Sequence, residues 1–170
     1  MTGSTPSGRR AMSAIHLLHR AGQCADELFT LNVGDHQLTP RQYTVLSSVA
    51  AADEPSQTTL VEITGIDRST LADIVRRLVQ RGLLSRTRTR TDARMYAVRL
   101  TTAGDAALAD VAASVTAVEE QLFAAVPAGE RAIVRRGLEA IVSAHGPISS
   151  ARVSARAIGA SRREEVEDDA

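Results

Sequence analysis

The sequence has no tryptophan, no lysine, one cysteine, and only two phenylalanines and two tyrosines. With aromatics at 2%, any core must be aliphatic. A single cysteine, Cys24, rules out an internal disulfide framework and any Cys-x-x-Cys zinc site. No run of about 18 apolar residues is present, so a transmembrane helix and a membrane partner are not expected. Residues 1–10 are polar and lack an apolar h-region. That argues against a secretory signal and makes the cytoplasm the expected compartment. Catalytic signatures are missing as well: there is no nucleophile elbow, phosphate-cradling glycine loop or zinc motif. The expectation is therefore a non-enzyme without cofactor or metal.

What remains is the composition of one globular domain with tails: 170 residues, 44% hydrophobic and 24% charged. The formal net charge of zero conceals an asymmetry. Between Asp67 and Arg99 lie nine arginines against three acids, Asp67, Asp73 and Asp92. Stretches 11–66 and 100–148 carry five arginines against twelve acids, and the last seven residues add five acids. A basic face on an acidic remainder suits a polyanion partner, although a solvated charged surface has the same composition.

Residues 1–10 read as a disordered arm. Met12, Ile15, Leu18, Leu28 and Phe29 trace a helical face over about 11–33, ended by Gly34 and Asp35. Thr39-Pro40-Arg41-Gln42 has the form of a capping box with proline in the first turn. Tyr43, Leu46, Val49 and Ala50 continue that helix. A short helix over about 57–64 ends at Gly65, which suits a left-handed cap. Asp67 then caps a helix from Arg68 to Arg81, with Leu71, Ile74, Val75 and Leu78 facing inward. Two short helices around a tight glycine turn make a helix-turn-helix pattern.

The next segment alternates Arg86, Arg88 and Arg90 with Thr87, Thr89 and Thr91. A period of two predicts a strand. Thr91-Asp92-Ala93 is the turn, and Tyr96, Val98 and Leu100 return, so the unit is a β-hairpin with a basic tip. Thr101 or Thr102 opens a helix to about Ala125, and Pro127 breaks it. A last helix spans about 128–145. Residues 148–170 form a polar, acid-ended tail, expected to be mostly disordered.

A helix in a major groove needs short polar residues near its N-terminus and arginine further along. Arg68, Ser69 and Thr70 open the second helix, and Asp73, Arg76 and Arg77 follow. Arg76 and Arg77 project about 100° apart, so one is expected to meet DNA and the other a phosphate or an acid of the protein. Arg86, Arg88, Arg90 and Arg94 on the hairpin suit the DNA backbone or a narrow minor groove.

The stretch Leu38 to Asp105 resembles the MarR family of winged-helix transcriptional regulators. The resemblance rests on Leu38-Thr39-Pro40-Arg41-Gln42-Tyr43, Ile66-Asp67-Arg68-Ser69-Thr70-Leu71, Leu78-Val79-Gln80-Arg81-Gly82-Leu83-Leu84, the Asp92-Ala93-Arg94 of the wing, and Leu100-Thr101-Thr102-Ala103-Gly104. It implies a mainly α fold with a small β-hairpin wing, built as a winged helix-turn-helix core over about 38–101. Dimerisation helices over about 11–33 and 102–146 complete a domain spanning 11–147. It also implies a homodimer that binds a pseudo-palindromic operator in double-stranded DNA, with Arg94 at the minor groove and Asp92 beside it. The function expected is a ligand-responsive repressor released by a small anionic effector such as an aromatic carboxylate.

His16, His19 and Arg20 lie on one turn of the first helix, and similar regulators hold anions between that helix and the DNA-binding lobe. These three are the effector candidates, against a plain surface or interface role. His16 and His19 could alternatively hold a metal with Glu27 or His145 as a third ligand. Cys24 could alternatively be a redox sensor, but the resemblance puts Ile15 where peroxide-sensing members carry their cysteine. Cys24 is therefore expected to be a small buried residue. A winged-helix module that binds protein is the remaining rival.

Overall fold

The computed structural model describes residues 12–33, 38–88 and 96–145. In chain order these form α1 (Ala14–Val33), α2 (Pro40–Ala51), α3 (Gln57–Thr64), α4 (Arg68–Gln80), β1 (Leu84–Arg88), β2 (Tyr96–Leu100), α5 (Thr102–Leu122) and α6 (Ala128–His145). The expected mainly helical fold with one hairpin is what the chain adopts. The expected arm, the tail, and the residues that end the first helix lie outside the described residues.

Local chemistry explains the boundaries. Gln42 N–H donates to Thr39 Oγ1 at 3.3 Å, and Thr39 N–H donates to Gln42 Oε1 at 3.2 Å. This reciprocal box satisfies two backbone donors that a helix start leaves without partners. Ser56 caps α3 by accepting from Thr59 N–H at 3.1 Å. Gly65 ends α3 at φ 67°, in the left-handed region that favours glycine. Its N–H donates to Val61 O at 3.0 Å. Asp67 caps α4 by accepting from Thr70 N–H at 2.9 Å. Of the two threonines considered for α5, Thr101 is the cap, accepting from Gly104 N–H at 3.1 Å. Helix α5 stops at Leu122, three residues earlier than expected.

The strands pair antiparallel in a register that sets Leu84 opposite Leu100 and Arg88 opposite Tyr96. Beyond this hairpin, Ser56 bridges Ala97, and Val98 N–H donates to Pro55 O at 2.9 Å. The segment before α3 thus lies along β2 as a third edge. This covering explains a departure from simple alternation. Ala97 and Val98 are both buried, whereas Tyr96, expected on the same face as Val98, is half exposed.

The aliphatic core gathers Val45, Leu46 and Val49 of α2, Leu60 of α3, and Leu71, Ile74, Val75 and Leu78 of α4, with Leu84 and Val98 of the hairpin. The C-terminal end of α1 joins through Phe29 and Val33, and α5 through Val111 and Val118. Phe29 and Tyr43 place their ring centroids 5.4 Å apart, tying α1 to α2. Gly104 lets α5 enter this lobe closely. A Cβ there would stand 2.1 Å from Leu83 O. At the same corner Thr101 Oγ1 donates to Gly82 O at 2.6 Å.

Two parts of the chain stay outside this core. Residues 12–23 are all exposed, and so is every residue of α6. Both segments nevertheless carry large aliphatic side chains, including Ile15, Leu17, Leu18, Leu138, Ile141 and Val142. Helix α6 is held at its start by Arg131 Nε donating to Val126 O at 3.1 Å, and Arg135 lies 5.8 Å from the Phe123 ring.

Candidate nucleic-acid interface

The first part of the basic segment, residues 68–88, folds into one continuous feature, because α4 turns at Gly82 directly into β1. Gly82 has φ 72°, and Leu83 N–H donates back to Leu78 O at 2.9 Å. Arg68, Ser69, Arg76, Arg77, Arg86 and Arg88 are exposed, while Thr70 and Asp73 are partly buried. Arg90, Asp92 and Arg94 lie outside the described residues.

Many of these side chains are engaged within the protein. Ser69 Oγ donates to Asp67 Oδ1 at 2.6 Å, which leaves its lone pairs as the outward-facing function. That hydroxyl, with the side chain and backbone N–H of Thr70, holds the Asp67 carboxyl well below the usual carboxylate range. The expected divergence of Arg76 and Arg77 does not occur. Arg76 pairs with Asp73 Oδ1, and Arg77 Nε donates to Asp73 Oδ2 at 2.7 Å. Spacings of three and four residues put all three on one helix face, and the long guanidinium stems close the remaining angle. The hydrogen bond from Arg76, with Arg77 beside it, holds the Asp73 carboxyl below its ordinary value. Asp73 thus serves as an acid inside the protein that restrains both arginines.

Arg99 is likewise engaged: it pairs with Glu54, which precedes α3 at φ 47°. Arg81 donates to Gln42 Oε1 at 3.3 Å. Arg68, Arg86 and Arg88 have no acidic partner among the described residues. Arg68 and Arg86 line a hollow of about 250 Å³ with Ser56, Gln57, Thr58 and Tyr96, where the start of α3 meets the hairpin. Sequence reasoning missed Ser56, Gln57, Thr58 and Tyr96, because they reach the site only through folding.

The effector candidates lie together on α1. His16, His19 and Arg20 share a shallow hollow with Ser13, Ile15 and Gln23, all from one face of α1 or its start. Among the described residues, none of the winged lobe lines it. Arg20 Nη1 donates to Gln23 Oε1 at 2.6 Å. A second hollow, of about 450 Å³, lies between α2 and α5 and is lined in part by Tyr43, Ser47, Leu108, Val115 and Glu119. Among the described residues, no group of three His, Cys, Asp or Glu side chains is placed to hold a metal. Cys24 is half-buried rather than buried. No helix among the described residues is long and apolar enough to cross a membrane.

A helix-turn-helix that runs straight into a two-stranded wing, flanked by long helices, defines a winged helix-turn-helix protein. Comparison with known proteins narrows this class. Residues 36–95 match the model of the MarR family. The repressor NicR of Pseudomonas putida is 31% identical over 119 residues, spanning 70% of this chain and 75% of the relative. The chain belongs to the MarR family of transcriptional regulators. Among solved structures, BpsR of Bordetella bronchiseptica has a TM-score of 0.73 and 26% identity, covering 79% of this chain and 96% of that one. Its DNA binding is regulated by 6-hydroxynicotinic acid. A mutant of MarR from E. coli complexed with operator DNA has a TM-score of 0.70 and 26% identity, covering 75% of this chain and 91% of that one.

Proposed function

We propose that this regulator is a homodimeric, sequence-specific repressor that binds a pseudo-palindromic operator and is released by a small anionic effector. The observation that carries the DNA reading is the side-by-side placement of α4 and the hairpin, with Arg68, Arg86 and Arg88 unpaired by acids among the described residues. Similarity to the repressor NicR and to a MarR mutant complexed with operator DNA supports it. In this reading Ser69, Thr70 and either Arg76 or Arg77 enter the major groove, and Asp73 yields one arginine to the DNA. Arg88 and Arg90 follow the backbone, while Arg94, braced by Asp92, reaches the minor groove. Half-site centres about one helical turn apart, roughly 34–36 Å, suit two-fold docking.

The homodimer is supported by the exposed aliphatic side chains of residues 12–23 and α6. Faces of this kind on a globular chain mark an interaction surface. We assign residues 38–101 to the DNA-binding lobe and helices within 11–33 and 102–146 to dimerisation. The effector reading draws on BpsR and on the cluster of His16, His19 and Arg20. A second copy covering the projecting part of α1 supplies the wall that one chain lacks there.

Fluorescence anisotropy with DNA from upstream of its own operon tests the reading. Tight, salt-dependent binding to that duplex over a scrambled one is expected, and equal binding to both overturns the repressor assignment. For the effector, Arg20→Ala is expected to keep operator affinity and lose release by aromatic carboxylates. Unchanged release moves the site away from Arg20.

A further inference from the structure

The hollow between α3 and the hairpin has an unusual lining. Its charged side chains, Arg68 and Arg86, are both cations, and neither has an acidic partner among the described residues. Gln57 lines the same hollow, and its buried Nε2 meets no acceptor. A buried donor without an acceptor is uncommon, because desolvation is then uncompensated. The backbone N–H groups of the first turn of α3 add positive potential. One of them, from Thr59, is already satisfied by Ser56 Oγ. Ser56 Oγ is also within 2.9 Å of Thr59 Oγ1, whereas Thr58 and Tyr96 contribute hydroxyls that adapt to whatever acceptor arrives. The site therefore combines a surplus of donors with a net positive charge.

Three segments far apart in sequence build it: 56–58, Arg68, and the paired strands at Arg86 and Tyr96. The bridge from Ser56 to Ala97 and the Val98–Pro55 hydrogen bond fix the first against the third. The hollow is therefore set in the framework that holds α4 and the wing together. Resting on the DNA-binding reading above, we propose that this hollow seats one backbone phosphodiester of duplex DNA, held jointly by Arg68 and Arg86 over Ser56, Gln57 and Thr58. Arg68 then acts on the backbone and reads no base, although it opens the helix that enters the groove. Such a contact sets register and orientation without carrying sequence information itself. A seat between α3 and the hairpin fixes α4 and the wing together against one strand.

The test uses the full-length protein and a duplex selected by the wild type from a random-sequence pool. Each backbone phosphate is replaced in turn by a neutral methylphosphonate, and binding is measured for wild type, the Arg68→Gln/Arg86→Gln double variant, and the Arg68→Lys/Arg86→Lys double variant. Circular dichroism checks that all three fold. Wild type is expected to lose about tenfold in affinity at one neutralised position per half-site. The glutamine variant is expected to be weaker on every duplex and to lose less than twofold at that position. The lysine variant, which keeps the charge, regains most of the sensitivity. A glutamine variant as sensitive as wild type at every position overturns the phosphate seat and leaves the DNA reading standing. Failure of the wild type to select or bind any duplex overturns the DNA reading, and the seat falls with it.

Discussion

Helices α4 and α6 carry similar apolar patterns and meet opposite fates. Leu71, Ile74, Val75 and Leu78 follow helical spacing and are all buried, whereas Val134, Leu138, Ile141 and Val142 follow it nearly as well and are all exposed. The difference lies in what surrounds each helix. Helix α4 is enclosed by α2, α3 and β1, brought close by tight turns at Gly65 and Gly82. Helix α6 follows the turn at 123–127 and meets no such enclosure among the described residues. Periodicity therefore specifies a face that must be covered, and only topology specifies whether the same chain covers it.

Charge placed on the exposed face of α6 is expected to have the largest effect. Leu138→Asp combined with Ile141→Asp is expected to leave the helix content of the lobe intact and abolish the proposed homodimer. Operator affinity then falls by roughly 100-fold or more, because two linked half-site contacts become independent events. Sedimentation and anisotropy measure the two effects. The matched control is Leu78→Ala in α4, which is expected to cost about 2–5 kcal/mol of stability through an unfilled core site. A doubly charged variant that remains a dimer removes α6 from the interface.

Next in size is the corner where the lobe receives α5. Gly104→Ala puts a methyl group against Leu83 O, and backbone cannot yield as a side-chain tip can. The expected loss is about 1–3 kcal/mol, in the range of overpacked sites. Urea unfolding measures it, and a wild-type midpoint shows that α5 enters less tightly.

What could be read from the sequence was local. The capping box at Thr39, the left-handed turn at Gly65, and the cap at Asp67 each depend on residues within four positions of one another. Their chemistry therefore stands whatever the tertiary context. The inward face of α4 was legible for the same reason. The site was legible as a composition and not as a set of partners. Arg99 pairs with Glu54 across 45 positions of sequence, and Ser56 bridges Ala97 across 41, so neither contact leaves a periodic trace. The convergence of Arg76 and Arg77 on Asp73 was hidden differently. The 100° rule describes where Cβ atoms point, and an arginine side chain is long enough to undo it.

That convergence separates arginines restrained by an acid from those without one. Replacing Arg76 and Arg77 together by alanine is expected to cost on the order of 1–3 kcal/mol on the operator and to relax preference at one base. Arg88→Ala, on the hairpin, is expected to weaken all sequences alike and reduce the salt slope by about one. Asp73→Asn releases both arginines and is expected to raise affinity for random DNA more than for the operator. Anisotropy at several salt concentrations resolves the three patterns. Equal effects of the Arg76/Arg77 double variant and of Asp73→Asn on operator and random DNA would remove base reading from α4.

The smallest effect concerns the acids themselves. The hydroxyl of Ser69, with Thr70, favours the charged form of Asp67, so the folded-state value lies below the ordinary 3.8 of the unfolded chain. A depressed carboxylate contributes stability that is fully present above the unfolded value and is lost as pH falls through the folded one. The cap contribution of Asp67 is therefore constant from neutral pH down to about 4 and declines below it. Asp67→Asn isolates this contribution, because asparagine caps a helix nearly as well and does not titrate. At pH 7 the variant is expected to melt close to wild type. Between pH 4 and pH 2.5 its melting temperature should fall less steeply, since one titrating group has been removed while the others continue to protonate. Thermal melts at four pH values provide the comparison. Parallel curves for the two proteins would mean that the hydrogen bonds from Ser69 and Thr70 do not favour the charged form, and that the cap at α4 acts as a neutral hydrogen-bond acceptor would.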